Sequence, residues 1–203
     1  MVSAALLCRY RDPSVRYWKP IQTGIEQDDD TAEARRLSAS SRERILDAGI
    51  RLPRPVSPHL AARLSGTSID LSSLVAIANA QTDDHGWIVE GAGGVLVPLN
   101  EQALLIDLIK ALTLPVLIVA RSGLGTINHT LLTIEALERR TIRIAGVVMV
   151  GAPDTENRHA IECYGRVAVV GELPMLDPLT PDAVEQWATE SFDREGHLTE
   201  FLT

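Results

Sequence analysis

Short β-branched apolar runs alternate along this chain with longer segments of helical periodicity, and few folds accommodate that order. The runs are 15–19, 87–90, 115–120, 144–150 and 167–170. Most are apolar almost without interruption, the pattern of strands covered on both faces of a parallel sheet. Helical spacing falls over 31–38, 71–80, 103–112, 126–138, 155–164 and 181–190. Such alternation predicts an α/β layered fold with right-handed crossovers. The 203 residues are read as one domain, 1–203. Leu52 to His59 holds three prolines and is expected as a loop.

Charge and composition narrow the function. The net charge of −8 argues against general nucleic-acid or anionic-membrane binding, so any phosphate site must be local. No apolar run approaches the ~20 residues of a membrane span. The first ten residues carry no basic leader and no small-residue cleavage site, and a cytoplasmic protein is expected. Cys8 and Cys163 form no metal-like or disulfide-like pair. Only two of the 19 basic residues are lysines, Lys19 and Lys110, in a chain that otherwise uses Arg. That preference draws attention to Lys19.

In open parallel sheets ligands gather beyond the carboxyl ends of the strands. Four strand ends here carry chemistry: Lys19 to Gly24, Glu90 to Gly94, Arg121 to His129, and Gly171 to Pro174 after the last strand. Glu90 precedes Gly91-Ala92-Gly93-Gly94, where a carboxylate suits a magnesium ion shared with phosphates and the glycines admit a close ligand; a surface turn with a solvated Glu is the alternative. Lys19 stands before Pro20, with Thr23 nearby; it is either a point charge for a phosphoryl group or a solvated strand end. Asp28-Asp29-Asp30 precedes a helix, and three acids exceed what one cap needs. Gly123 to His129 opens another helix whose unpaired NH groups attract an anion, with Thr126 a candidate cap. Ser57-Pro58-His59 is a rigid turn bearing a hydroxyl and an imidazole.

In this order Tyr17 to Gly24, Asp30-Thr31, Ser57-Pro58-His59, Val89 to Gly94, Gly125 to His129 and Gly171 to Pro174 resemble the ATP-dependent dethiobiotin synthetase family. The resemblance implies a P-loop NTPase-like layered fold, with a mostly parallel sheet flanked by helices, and a homodimer. It implies a reaction in which 7,8-diaminononanoate, CO2 and ATP with Mg2+ give dethiobiotin, ADP and phosphate. Lys19 matches the catalytic lysine, and Thr23 and Ser57 fall in the substrate site. Asp30 and Glu90 match the magnesium carboxylates, and Glu90, Gly91, Ala92 and Gly93 lie along ATP. Gly125, Thr126, Ile127 and Asn128 match the helix start that receives the substrate carboxylate across the dimer interface. Pro174, Met175 and Leu176 match the stretch beside adenine.

Two departures stand out. Where some members place an adenine-reading asparagine, this register holds Val150 or Gly151, which leaves that role to backbone groups. The family's opening strand and Gly-Lys-Thr loop have no counterpart, and Met1 to Tyr10 resembles the body of the helix that follows them. Against the family pattern, about 15 residues are expected before this start, counting a strand of ~5–6 and an eight-position loop. Each charge-assisted hydrogen bond from that loop is worth about 1.5–3 kcal/mol, so losing several weakens ATP binding. The readings that follow are an active synthetase begun at an internal Met, a non-catalytic relative, or another P-loop amidoligase acting on a different acid.

Overall fold

The computed structural model describes residues 1–11, 15–81 and 86–201. They divide into two compact units. One comprises Met1–Arg11, Leu37–Ala39 and Leu114–Thr203; the other comprises Asp12–Arg36 and Ser40–Thr113.

The second unit carries the Lys19 strand end. Its three-stranded ladder has β1 (Val15–Trp18) in the centre, β3 (Ile45–Leu46) on one side and β5 (Gly86–Val89) on the other, all parallel. A separate parallel pair joins β2 (Ile21–Thr23) to β4 (Ile50–Leu52). Pro20, which has no NH to give a ladder, separates β1 from β2. Around these strands lie α2 (Asp30–Ser38, its last two residues counted with the first unit), α3 (Pro58–Leu64), α4 (Leu71–Asn79) and α5 (Leu105–Leu112). Trp18, Ile21, Leu52, Ile69, Leu74, Leu99 and Leu108 form the core. The Asp70 carboxylate caps α4 by accepting from the NH groups of Ser72 and Ser73.

The first unit holds the parallel ladder β6 (Val116–Arg121), β7 (Ile144–Val150) and β8 (Val169–Leu173), with β7 central. Its helices are α1 (Val2–Arg9), α6 (Thr126–Glu138), α7 (Thr155–Gly165) and α8 (Pro181–Glu190). Small residues of α1, Ala4, Ala5 and Cys8, let it share a core with Val184, Trp187 and Ala188 of α8 and with Phe192. Tyr10, just after α1, donates to the buried Asp193 carboxylate at 2.8 Å. Burial and the Asp193 charge both hold the Tyr10 hydroxyl well above its ordinary pKa.

The expected strand-and-helix order is present, with three revisions. The last strand begins at Val169 and runs through Gly171 and Glu172 to Leu173, so these three do not follow the strand. Glu172 is tolerated there because Arg158 donates to it at 3.1 Å. The proline-rich loop ends at Ser57, since Pro58 and His59 open α3, where a first-turn proline costs no hydrogen bond. The β2–β4 pair was not anticipated, as three-residue strands are too short to show a period.

Gly171 marks a tight spot. A Cβ built there would sit 2.9 Å from Phe192 Cδ2 and 3.2 Å from Trp187 Cζ2, and those two rings are stacked with centroids 5.1 Å apart. Both rings are buried. Gly171→Ala should therefore destabilise the chain by about 1–3 kcal/mol through overpacking. Chemical denaturation checks this, and an unchanged midpoint would show that the ring pair moves freely.

Candidate functional site

The end of β1 and the end of β5 bring the first two site residues together. Trp18 pairs with Val89 in the parallel register, and the Glu90 NH donates to the Trp18 carbonyl at 2.9 Å. Lys19 and Glu90 therefore leave the ladder side by side. The Lys19 ammonium reaches Glu90 Oε1 at 2.8 Å and Asp30 Oδ2 at 2.5 Å. Lys19 is only 5% exposed, which excludes the solvated-strand-end alternative. Burial on its own would lower the Lys19 pKa, but the charges and hydrogen bonds of Glu90 and Asp30 outweigh it and hold the pKa above the ordinary value. Lys19 is thus an ammonium at any physiological pH.

The acidic run sorts itself at the start of α2. Asp29 is the capping residue, its Oδ1 accepting from the Ala32 NH at 3.0 Å. Asp30 is then the first helical residue, and its side chain is free of that duty and turns to Lys19. The entry to the helix is held by Gln22, which is wholly buried on β2. Its Nε2 donates to the Asp28 carbonyl at 3.0 Å, and its Oε1 accepts from Thr31 at 3.4 Å. Arg51 on β4 donates to the Lys19 carbonyl at 2.9 Å and fixes the backbone beneath the ammonium. Sequence reasoning gave no role to Gln22 or Arg51; neither the three-residue strand Ile21-Gln22-Thr23 nor the position of Arg51 signals one.

These groups border a cavity of about 310 Å3 lined by Lys19, Thr23, Asp30, Val56, Ser57, Pro58, Ala92, Gly93 and Val97. Glu90 joins it through Lys19, and Gly91 packs against Leu105 at the start of α5. Ser57 stands at the N-cap position of α3 but makes no side-chain cap bond. His59 is not among the lining residues; its Nδ1 is buried without a hydrogen-bond partner.

The donor set fits magnesium. Asp30 and Glu90 offer hard carboxylate oxygens close enough to share one cation, as the single Lys19 ammonium between them shows. Among the described residues no third His, Cys, Asp or Glu completes a protein cage. One or two carboxylates, with water and phosphate supplying the remaining ligands, is the usual magnesium arrangement at nucleotide sites.

Beside Lys19 stands Tyr17, which opens the 17–24 motif but was given no role there. It is wholly buried, and its hydroxyl donates to Glu90 Oε2 at 3.2 Å. Burial, then the Glu90 charge, raise its pKa far above the ordinary tyrosine value.

The other expected site residues belong to the first unit. Gly125 is the N-cap of α6 with φ of 91°, a left-handed conformation that glycine adopts at low cost. Thr126 is therefore inside the helix and not its cap; its hydroxyl is buried and has no hydrogen-bond partner. Ile127 and Asn128 complete the first turn, and Leu124 just before it is fully exposed. Pro174, Met175 and Leu176 follow β8, with Met175 largely exposed and Leu176 packed on the core. At the register expected to read adenine, Val150 ends β7 and Gly151 has φ of 131°. A Cβ on Gly151 would overlap the buried Ser122 hydroxyl, so an asparagine there would meet both strain and a clash.

A family model described as an AAA domain matches residues 1–183. A ParA family ATPase from Chlorobium tepidum TLS superposes with a TM-score of 0.55 at 9% identity, covering 92% of this chain and 89% of that one. The fold is thus that of the P-loop NTPase-like α/β class. At the sequence level the chain is 49% identical to the ATP-dependent dethiobiotin synthetase BioD of Paramagnetospirillum magneticum, over 97% of this chain and 91% of that protein. It is 43% identical to the BioD of Agrobacterium fabrum, over 92% and 84%. It also matches the biotin biosynthesis bifunctional protein BioCD of Bordetella avium at 45% identity, over 86% of this chain and 37% of that protein. The chain belongs to the ATP-dependent dethiobiotin synthetase family.

Proposed function

We propose that this chain closes 7,8-diaminononanoate and CO2 into dethiobiotin at the expense of ATP, with magnesium, as a cytoplasmic homodimer. The observation that carries the proposal is the buried Lys19 ammonium in contact with both Asp30 and Glu90 at the edge of the cavity. One amine of the substrate adds to CO2 and forms a carbamate. A carbamate oxygen takes the terminal phosphoryl group of ATP, releasing ADP. The second amine then attacks the carbonyl carbon, closing the cyclic urea and expelling phosphate. Phosphoryl transfer to an anion brings like charges together, so positive charge must be in place beforehand.

Lys19 supplies a fixed positive charge without further reorganisation. Asp30 and Glu90 orient it and are the groups that would hold magnesium. When bound, the metal neutralises phosphate charge. Thr23 and Ser57 offer hydroxyls to the diamine, while Gly91, Ala92 and Gly93 present backbone to the triphosphate. The orphaned Thr126 hydroxyl and the first turn of α6 suit the substrate carboxylate. The exposed Leu124 and Leu132 around that helix favour contact with a second copy of the chain. Pro174, Met175 and Leu176 are assigned to the adenine. The span of the family model, 1–183, supports treating 1–203 as one synthetase-like domain.

Incubation with the diamine, bicarbonate, ATP and magnesium should yield dethiobiotin by mass spectrometry, and omission of ATP or metal should abolish it. A folded chain that makes no dethiobiotin would favour the non-catalytic relative. A product of another mass, formed from a different acid, would favour the amidoligase.

A further inference from the structure

We infer that Tyr17 is a positioning residue, holding one oxygen of Glu90 so that the other is presented to Lys19 and the shared cation. Tyr17 lies on β1 and Lys19 follows its last residue, two positions on, and both side chains reach the same Glu90 carboxylate. The Tyr17 hydroxyl takes Glu90 Oε2 at 3.2 Å, and the Lys19 ammonium takes Glu90 Oε1 at 2.8 Å. The two carboxylate oxygens thus have different duties. A glutamate is nearly free about its last torsion, which is broad and two-fold, and a lone ammonium would accept either oxygen. A second donor at a fixed depth removes that equivalence. Tyr17 is fixed because its ring is wholly buried in the centre of the β3–β1–β5 ladder. Partners of this kind, one step removed from a metal, orient ligands, and their loss typically costs about 10–100-fold in metal affinity.

A buried tyrosine also needs a partner for its hydroxyl simply to avoid an unpaired polar group. That purely structural role would leave Lys19 and the metal indifferent to the hydroxyl, so the two roles are separable. The inference rests on the proposed function only for its catalytic meaning; its main test needs neither substrate nor metal.

The chain has just two lysines, so lysine-selective 15N labelling leaves only the Lys19 and Lys110 ammonium signals to assign. In the parent, Lys19 should show slow proton exchange with water, and exposed Lys110 fast exchange. Tyr17→Phe keeps the ring and deletes the hydroxyl. It should speed Lys19 exchange several-fold at fixed pH and raise the magnesium needed for half-maximal turnover about tenfold. The KM for the diamine should stay unchanged. Lys19 exchange within twofold of the parent would overturn the inference. As a second measurement, independent of how well that variant folds, 13Cζ-tyrosine labelling should show the Tyr17 signal shifting on Glu90→Gln; an unmoved signal would overturn it too. If the parent makes no dethiobiotin while Lys19 exchange still responds to Tyr17→Phe, the functional proposal fails and the positioning role stands.

Discussion

Lys19→Arg should lower the rate of dethiobiotin formation by about 10²–10³-fold, the cost typical of removing one preorganised charge-stabilising donor. The substitution keeps the charge, so the expected loss is geometric. The Lys19 ammonium is a compact group whose protons diverge, and it meets Asp30 at 2.5 Å and Glu90 at 2.8 Å from a single point. A guanidinium is a planar fork that favours two parallel bonds to one carboxylate. It would engage Asp30 or Glu90 alone and push its plane into the cavity where phosphate is expected. Both acids would keep a cation nearby, so the fold should survive. The measurement is turnover with saturating substrates beside a thermal melt. Near-parental turnover would mean that Lys19 only balances charge at a strand end.

Glu90→Gln is expected to raise the magnesium requirement at least tenfold, with a smaller loss of thermal stability. Glu90 accepts from two donors at once, Lys19 on Oε1 and Tyr17 on Oε2. An amide can accept at one of those positions only. Its NH2 would face either the ammonium, a donor with no acceptor capacity, or the tyrosine hydroxyl, which would have to turn round. The lost negative charge also leaves the buried Lys19 with Asp30 as the one remaining carboxylate of the pair. Burial and the two acids act in opposite directions on the Lys19 pKa, so removing one acid should bring that pKa down. A magnesium titration that coincides with the parent's would remove Glu90 from the metal site.

Both predictions concern residues legible from the sequence, for a physical reason. A strand announces itself by local apolarity, and the residue that ends it is the first one free to carry charge. Lys19, Glu90, Gly125 and Pro174 all stand at or just beyond such ends. The Asp28–Asp30 run was legible as an excess of acid before a helix. The resemblance singled out Asp30 from that run, but not that Asp29 is the cap, which depends on where Gln22 ties down the Asp28 carbonyl. The same limit explains Thr126. Its sequence position suits a cap, but the left-handed turn at Gly125 shifts the helix start by one residue. Arg51 gave no signal, and Tyr17 stood in the 17–24 motif without a role, since each acts through a contact with a residue distant in the chain.

The residues alone, read in order, determined the layered α/β class, the family resemblance and the chemical kinds assembled at the strand ends. Those follow from burial periodicity and side-chain type, which are properties of short segments. Only the tertiary structure decided that Glu90 touches Lys19 across 71 positions, that Asp29 caps α2 while Asp30 meets the ammonium, and that a buried phenol divides the two oxygens of Glu90. Strand register and helix entry set those pairings, and both depend on packing between segments that no local pattern encodes.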